Sequence, residues 1–335
     1  MSTLDKNPFQ QWIQLAQPKL GARVVFSTDD FFAPKERLID PTDPIFISDK
    51  YDDHGKWMDG WESRRRRGGG YDYCVIKLNT VAKVHGVDID TSFFTGNFPP
   101  EASIEACFCH EDSPTAHQDW HEILPRVSLS GDAHHYLPVF GEHAVTHLRL
   151  NIYPDGGIAR LRVYGEVCPN FTGSGSDADI DLVAIENGGR ALFCSDEHFG
   201  SMHNLNLPDL AINMGDGWET GRRRGPGNDW VVMALGHSGI VKTIQIDTTH
   251  FKGNYPDRAE VLAAKVDSMK NIKDESEHWS ILLPSTKLEA DRVHLYRDEL
   301  KDMGPISHIR LNIYPDGGIS RLRLFGSLMI DKDTE

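Results

Sequence analysis

The chain is poor in cysteine and has no long apolar segment. Its five cysteines are an odd number and form no Cys-x-x-Cys pair, which argues against a disulfide framework and favours reduced thiols inside the cell. Apolar runs such as 231–235 are far shorter than the roughly 20 residues that a membrane helix needs. The polar N-terminal segment has no signal-peptide core. We therefore expect a soluble, cytoplasmic protein with no membrane partner.

The sequence also lacks an excess of basic residues. Its 35 lysines and arginines face 50 acidic residues, for a net charge of -15, which would repel a phosphate backbone and argues against a nucleic-acid partner. The arginine run at 64–67 therefore needs another explanation. No GxSxG, HExxH, GxxxxGK[ST] or GxGxxG segment occurs. Serine hydrolases, zinc proteases, P-loop proteins and dinucleotide-binding proteins accordingly receive no support.

What the sequence does contain is a repeat. Three blocks recur in the same order with an offset near 160 residues: MDGWESRRRR and GDGWETGRRR (58–67 and 215–224), DIDTSFFTGNFP and QIDTTHFKGNYP (88–99 and 245–256), and RLNIYPDGGI (149–158 and 310–319). Self-similarity with the period of a whole domain indicates a duplication. We predict one repeat at 9–167 and a second at 180–329, joined by a linker rich in Gly, Ser and Asp at 168–179.

The local pattern in each half is that of β-strands. Short alternating runs are separated by Gly, Pro, Asp and Asn, and no stretch keeps a helical period. In RLNIY, Leu150 and Ile152 point to one face. The PDGG sequence that follows, at 154–157, is typical of a turn, so the repeated string predicts a hairpin. About 150 residues of such strands predict an all-β jelly-roll sandwich in each half.

Charged residues cluster around the Trp of each DGWE segment. The first copy has Asp59, Glu62, Arg65 and Arg66, and the second has Asp216, Glu219, Arg222 and Arg223. One interpretation is an Asp-Gly turn with a buried Trp and with arginines paired to neighbouring carboxylates. The other is an anchor for a small anion, because the planar fork of Arg matches a carboxylate.

A second block, D-T-x-[FH]-F-x-G-N, supplies Asp247 and Asn254 in the second half. Its Gly-Asn pair indicates a loop at a strand end, where binding groups gather in sandwiches.

The copies differ at two positions. Phe31 aligns with His198, and Phe93 aligns with His250. Imidazole exchanges protons near neutral pH or ligates a metal, and phenyl does neither. The exchanges predict that the two repeats do not contribute equally to catalysis and that the catalytic groups lie in the second half. The alternative at each position is a histidine with a structural role.

With these motifs duplicated and in this order, the chain resembles the allantoicase (allantoate amidinohydrolase) family over about residues 10–328. The resemblance rests on the DGWE-arginine segments, the two DT-x-x-F-x-GN segments, and YPDGGIARLRVYG with YPDGGISRLRLFG. It implies two tandem galactose-binding-like jelly-roll domains. It also implies hydrolysis of allantoate to ureidoglycolate and urea in purine degradation.

The chemistry of the matched motifs suggests roles for individual residues. Allantoate carries a carboxylate and two ureido groups on one carbon, so it needs a cation and acceptors for N–H groups. In this hypothesis Arg222 or Arg223 binds the carboxylate, and Asp247 and Asn254 bind a ureido group. Glu219 or His250 gives a proton to the departing urea, Asp216 assists the attacking water, and His198 belongs to the same group of catalytic residues. Arg65 and Glu62 contact the substrate from the first half.

Several alternatives stay open at this stage. The site lies either in the second half or where the loops of both halves meet. A divalent metal would suit the His and carboxylate supply, but no ligand spacing is diagnostic. Sandwiches of this class are often recognition modules, so a tandem carbohydrate- or small-ligand-binding protein is the competing hypothesis, and a structural assembly subunit is a third. Self-association into a homo-oligomer is a further expectation.

Overall fold

The computed structural model of the chain describes residues 7–9, 11–114, 118–141, 143–169, 171 and 179–329. The chain divides into two compact units, Met1–Pro169 and Asn170–Glu335. Within the predicted linker, residues 170 and 172–178 lie outside the described residues. None of the helices in the described residues combines the length and apolar character that crossing a bilayer requires.

Strands dominate the first unit. They are β1 Ile13–Gln14, β2 Arg23–Ser27, β3 Tyr51–Asp52, β4 Gly55–Lys56, β5 Trp61–Glu62, β6 Asp72–Asp90, β7 Glu101–Cys107, β8 His121–Ser128, β9 His134–Pro138, β10 Val145–Tyr153, β11 Gly157–Ile158 and β12 Arg160–Val167. Two 3₁₀ turns, Pro18–Leu20 and Lys35–Ile39, complete it.

The second unit repeats this pattern. Its strands are β13 Ile180–Asp181, β14 Arg190–Cys194, β15 Trp218–Glu219, β16 Asp229–Asp247, β17 Arg258–Ala264, β18 Ser280–Lys287, β19 Val293–Tyr296, β20 Ile306–Tyr314, β21 Gly318–Ile319 and β22 Arg321–Leu328. A one-turn helix α1, Ile272–Glu275, accompanies 3₁₀ turns at Ile185–Asn187, Met202–Asn204, Met214–Asp216 and Ser276–His278.

Both units have the same strand order. It is β1-β12-β6-β10-β7-β8 in the first, with β2 and β9 also paired to β6, and β13-β22-β16-β20-β17-β18 in the second, with β14 and β19 paired to β16. The topology therefore confirms the duplicated all-β architecture.

The long strand β16 belongs to both layers of its sandwich. Its first half pairs with β14 and β20, and its second half pairs with β19 and β22. The hydrophobic core contains Val231 and Leu311 from one layer and Ile246 and Leu322 from the other, all fully buried. Strand β6 is shared in the same way, which explains why a single strand of 19 residues recurs in each unit.

The prediction that the repeated string forms a hairpin is wrong. Strands β10 and β12 do not pair with each other, because β10 pairs with the first part of β6 and β12 with its second part. The PDGG turn at 154–157 therefore carries the chain from one layer to the other. Alternation and turn residues are local signals, whereas the pairing partner is decided by a strand that lies far away in sequence.

Candidate active site

The crossover turn holds two loops side by side in the first unit. Gly157 pairs with Glu62 through β11 and β5, and the Gly157 N–H donates to the carbonyl of Asn97 at 2.7 Å. The Ser63 N–H donates to the Gly156 carbonyl at 3.1 Å. As a result, Asn97 Nδ2 donates to Glu62 Oε1 at 2.8 Å. The repeated string thus brings a carboxyl and an amide together.

Close approach explains the two glycines of the turn. Gly156 has φ of 142°, a conformation that other residues rarely adopt. A Cβ on Gly157 would lie 2.0 Å from the ring of Phe94, which is itself fully buried. Only glycine at both positions allows the loops to meet as they do.

The second unit contains the same contact. Gly318 pairs with Glu219, the Gly318 N–H donates to the carbonyl of Asn254 at 2.8 Å, and Asn254 Nδ2 donates to Glu219 Oε1. Two of the predicted site residues, Glu219 and Asn254, are therefore in direct contact.

A cavity opens at this contact in the first unit. Its volume is about 610 Å³, and its lining includes Glu62, Asn97, Phe46, Phe93, His54 and Lys56. Burial raises the pKa of the Glu62 carboxyl above its ordinary value; the hydrogen bond from Asn97 opposes this shift, and the charge of Asp52 adds to it. A carboxyl in a cavity whose pKa is raised by burial is a candidate for proton transfer to a bound substrate.

A difference in loop length forms one wall of this cavity. The segment 34–58 of the first unit is ten residues longer than its counterpart 201–215 in the second. Part of this extra length folds as the β3–β4 hairpin, from which His54, Gly55 and Lys56 line the cavity. Because the shorter segment has no such hairpin, the two units differ beside their Glu–Asn pairs.

Lys56 is fixed in this wall by its own segment. Its Nζ donates to the carbonyl of Ile47 at 3.0 Å and also to that of Ser48, and it lies 4.9 Å from the ring centres of Phe46 and Tyr51. An ammonium has three donors, so one N–H remains for a ligand.

The Phe93/His250 exchange follows from the same difference in length. Phe93 and His250 both have left-handed backbone conformations, with φ of 68° and 73°. The Phe93 ring stacks on Phe46 of the longer segment at 5.7 Å. His250 Nε2 instead hydrogen bonds the carbonyl of Ala211 in the shorter segment at 2.8 Å. The observed contact of His250 is structural, and its catalytic role stays a prediction.

Two predicted carboxylates of the second unit have buried structural contacts. Asp216 is 5% exposed and pairs with Arg321 at 3.1 Å, as Asp59 pairs with Arg160 at 2.9 Å in the first unit. Asp247 is 2% exposed and accepts the N–H of Thr249 at 2.7 Å. Water activation by Asp216 and ureido binding by Asp247 stay predictions.

The arginine runs separate into anchored and exposed members. The backbone N–H of Arg223 donates to Asp316 at 2.9 Å, and its guanidinium pairs with Asp229. Arg222 and Arg65 are exposed. Arg222, Arg223 and His198 line one groove of about 480 Å³ in the second unit. The lining of that groove does not include Glu219, His250, Asp247 or Asn254, so the predicted residues do not form one constellation.

Some residues of the candidate site were missed by sequence reasoning. His54, Lys56 and Phe46 lie in segment 34–58, whose counterpart in the second unit is ten residues shorter. The signal was the unequal spacing between aligned blocks. In the part of the chain that the structure describes, no group of three or more His, Cys, Asp or Glu side chains is arranged to hold a metal ion.

Comparison with known proteins finds similarity to allantoicases along nearly the whole chain. The Allantoicase repeat model matches residues 13–168 and 180–329. A probable allantoicase of Ralstonia nicotianae is 53% identical over 98% of this chain and 99% of its own length. A probable allantoicase of Photobacterium profundum is also 53% identical, over 95% of this chain and 97% of its own length. The crystal structure of allantoicase from Saccharomyces cerevisiae is 37% identical with a TM-score of 0.79, covering 96% of this chain and 94% of that one.

Proposed function

Because the chain belongs to the allantoicase family, we propose that it hydrolyses allantoate to ureidoglycolate and urea, with Glu62 as the acid and base. The observation that carries the proposal is the partly buried Glu62 carboxyl, held by Asn97, in a cavity of about 610 Å³. The comparisons favour the hydrolase over the tandem binding module.

The cavity suits the chemistry of the substrate. Allantoate is a small anion, and the remaining N–H of Lys56 supplies a donor for its carboxylate. The stacked rings of Phe46 and Phe93 offer an apolar wall to a planar ureido group and restrict water. Asn97 keeps one oxygen of Glu62 in place, so the other can face the substrate.

Glu62 acts twice in the proposed reaction. It first gives its proton to the nitrogen of the departing ureido group, and the bond from that nitrogen to the central carbon breaks with its electron pair on nitrogen. The second ureido nitrogen stabilises the electron-poor carbon with its lone pair. Water then adds to this carbon and gives a proton to Glu62, which forms ureidoglycolate and restores the acid.

Matched variants of the two units test this assignment. Glu62→Gln keeps an acceptor for Asn97 and removes the transferable proton, so kcat for urea release should fall by about 100-fold or more. Glu219→Gln removes the equivalent carboxyl of the second unit and should keep turnover close to wild type. The reverse result would restore the second-half hypothesis, in which Glu219, His250, Asp216 and His198 act on a substrate held by Arg222 or Arg223.

The same assay addresses metal dependence. Urea release is measured on the protein as isolated, after chelation and after a single divalent metal is restored, with metal-specific recovery as evidence for a resident ion. A cytoplasmic location and self-association into a homo-oligomer remain predictions of the proposal, which cell fractionation and light scattering would check.

A further inference from the structure

An exchange of Arg64 for glycine distinguishes the arginine segments of the two units. In the first unit, Arg64 Nε donates to Asp29 Oδ2 at 2.8 Å, and its second amino group lies 2.6 Å from the same oxygen. The guanidinium also lies 5.0 Å from the ring centre of Phe31. A planar N–H donor group therefore sits between a carboxylate and an aromatic ring.

The second unit has the equivalent aspartate but no side chain in the position of Arg64. Asp196 corresponds to Asp29, His198 to Phe31 and Gly221 to Arg64. The carbonyls of Asp29 and Asp196 accept from the indoles of Trp61 and Trp218 at 2.8 and 2.9 Å. These shared backbone contacts hold the two aspartates at the same place in the fold.

A groove of about 480 Å³ lies where the side chain is missing. Its lining includes Asp196, His198, Gly221, Arg222 and Arg224. Asp196 Oδ2 accepts the Gly221 N–H at 2.5 Å, and no cation pairs with Asp196 among the described residues. Arg222 and Arg224 likewise have no ion-pair partner within the described part of the chain.

The remaining carboxylate of the groove is already neutralised. Asp229 pairs with the Arg223 guanidinium and accepts from Ser195 Oγ at 2.9 Å. The groove therefore offers a ligand one hydrogen-bond-accepting carboxylate, that of Asp196, and two guanidinium groups without an ion-pair partner among the described residues, those of Arg222 and Arg224.

We propose that this groove binds a small ureido carboxylic acid, with the planar ureido N–H groups on Asp196 and the carboxylate on Arg222 and Arg224. The ureido group takes the place that the Arg64 guanidinium occupies in the first unit. A free guanidinium ion would be repelled by the positive charges of Arg222 and Arg224, and it carries no carboxylate of its own with which these arginines could pair. The choice of a ureido acid rests on the proposed function, whose substrate and product both belong to this class.

Filling the groove with the side chain used by the first unit tests the inference. A Cβ on Gly221 would lie 3.4 Å from Asp196 Oδ2 and 3.6 Å from His198 Cβ, at ordinary contact distances, so Gly221→Arg should fold. The control Gly68→Arg adds the same charge where nothing lies within 4 Å of the new Cβ.

The probe is N-carbamoylglycine, which has one ureido group and one carboxylate. Calorimetric titration of the wild-type protein and of Gly68→Arg should show a binding event that Gly221→Arg loses. Asp196→Asn should weaken the same event by about tenfold, since a hydrogen bond to a charged acceptor is removed. Unchanged binding to Gly221→Arg would overturn the inference, as would guanidinium chloride that binds as tightly as N-carbamoylglycine.

Turnover separates this inference from the proposed function. Gly221→Arg should hydrolyse allantoate at the wild-type kcat, and Glu62→Gln should keep the groove-dependent binding event. Loss of turnover in Gly221→Arg would overturn the inference, because catalysis would then depend on the groove. Full turnover of Glu62→Gln with groove-dependent binding intact would contradict the assignment of Glu62 and would support the groove.

Discussion

Glu62 is the residue on which the proposed chemistry depends. Its carboxyl is partly buried, accepts from Asn97 and has a raised pKa. The first step requires the protonated form, so kcat/KM should fall as the pH rises through this pKa. A kcat/KM profile that does not fall on its alkaline side would contradict the role of Glu62 as the acid.

Glu62 should also reduce stability at neutral pH. A carboxyl whose pKa is higher in the folded than in the unfolded state contributes most stability below its unfolded pKa, and this contribution is lost as the pH rises through the folded pKa. Glu62→Gln should therefore raise the free energy of unfolding at pH 7 relative to wild type and not at pH 4. Denaturant titrations at the two pH values measure this difference.

His250 should matter for stability and little for turnover. His250→Phe removes the hydrogen bond to Ala211, at a cost of about 1 kcal/mol, while Phe93 shows that phenylalanine is accommodated at the same backbone conformation. Thermal unfolding and urea release are measured on the variant. A large loss of kcat in a folded His250→Phe protein would return His250 to the catalytic set.

At the scale of elements, the PDGG crossover matters because it pairs with the strand that carries Glu62. Gly157→Ala places a methyl group 2.0 Å from Phe94, and overpacking of this kind costs about 1–3 kcal/mol. We expect Gly157→Ala to lower both stability and turnover, because the contact between Glu62 and Asn97 shifts.

The equivalent change in the second unit separates these two effects. A Cβ on Gly318 would lie 1.9 Å from Phe251, so Gly318→Ala should lower stability with little effect on kcat. Gly68→Ala, which adds a methyl group in open space, is the control for both. Equal losses of turnover in Gly157→Ala and Gly318→Ala would show that catalysis does not reside in the first unit alone.

At the scale of the whole molecule, a buried histidine links the stability of the second unit to pH. His308 is 8% exposed, and burial together with the charge of Arg190 lowers its pKa to about 4. The unfolded chain binds a proton at higher pH than the folded one, so stability is lost as the pH falls from about 6.5 towards 4. The shift corresponds to at most about 3 kcal/mol.

Thermal unfolding of wild type and His308→Gln between pH 7 and pH 4 checks this effect. Because two units can unfold in separate transitions, the change is expected in only one of them. The transition of the second unit should fall less steeply with acid in His308→Gln. Identical pH dependence in the two proteins would show that other groups account for acid lability.

The sequence by itself determined the charge, the β class, the duplication and the family, because composition, alternation and repeated blocks are local or can be compared directly. It also identified Glu62, Glu219 and the two positions of Phe/His exchange as candidate site positions. Only the tertiary structure decided that the repeated string crosses between layers, since that depends on β6, a distant strand. The meaning of the Phe93/His250 exchange likewise depended on loop length. His250 contacts a carbonyl because its neighbouring segment is short, whereas Phe93 faces a cavity because its segment is long. Side-chain roles of this kind are set by what lies across space.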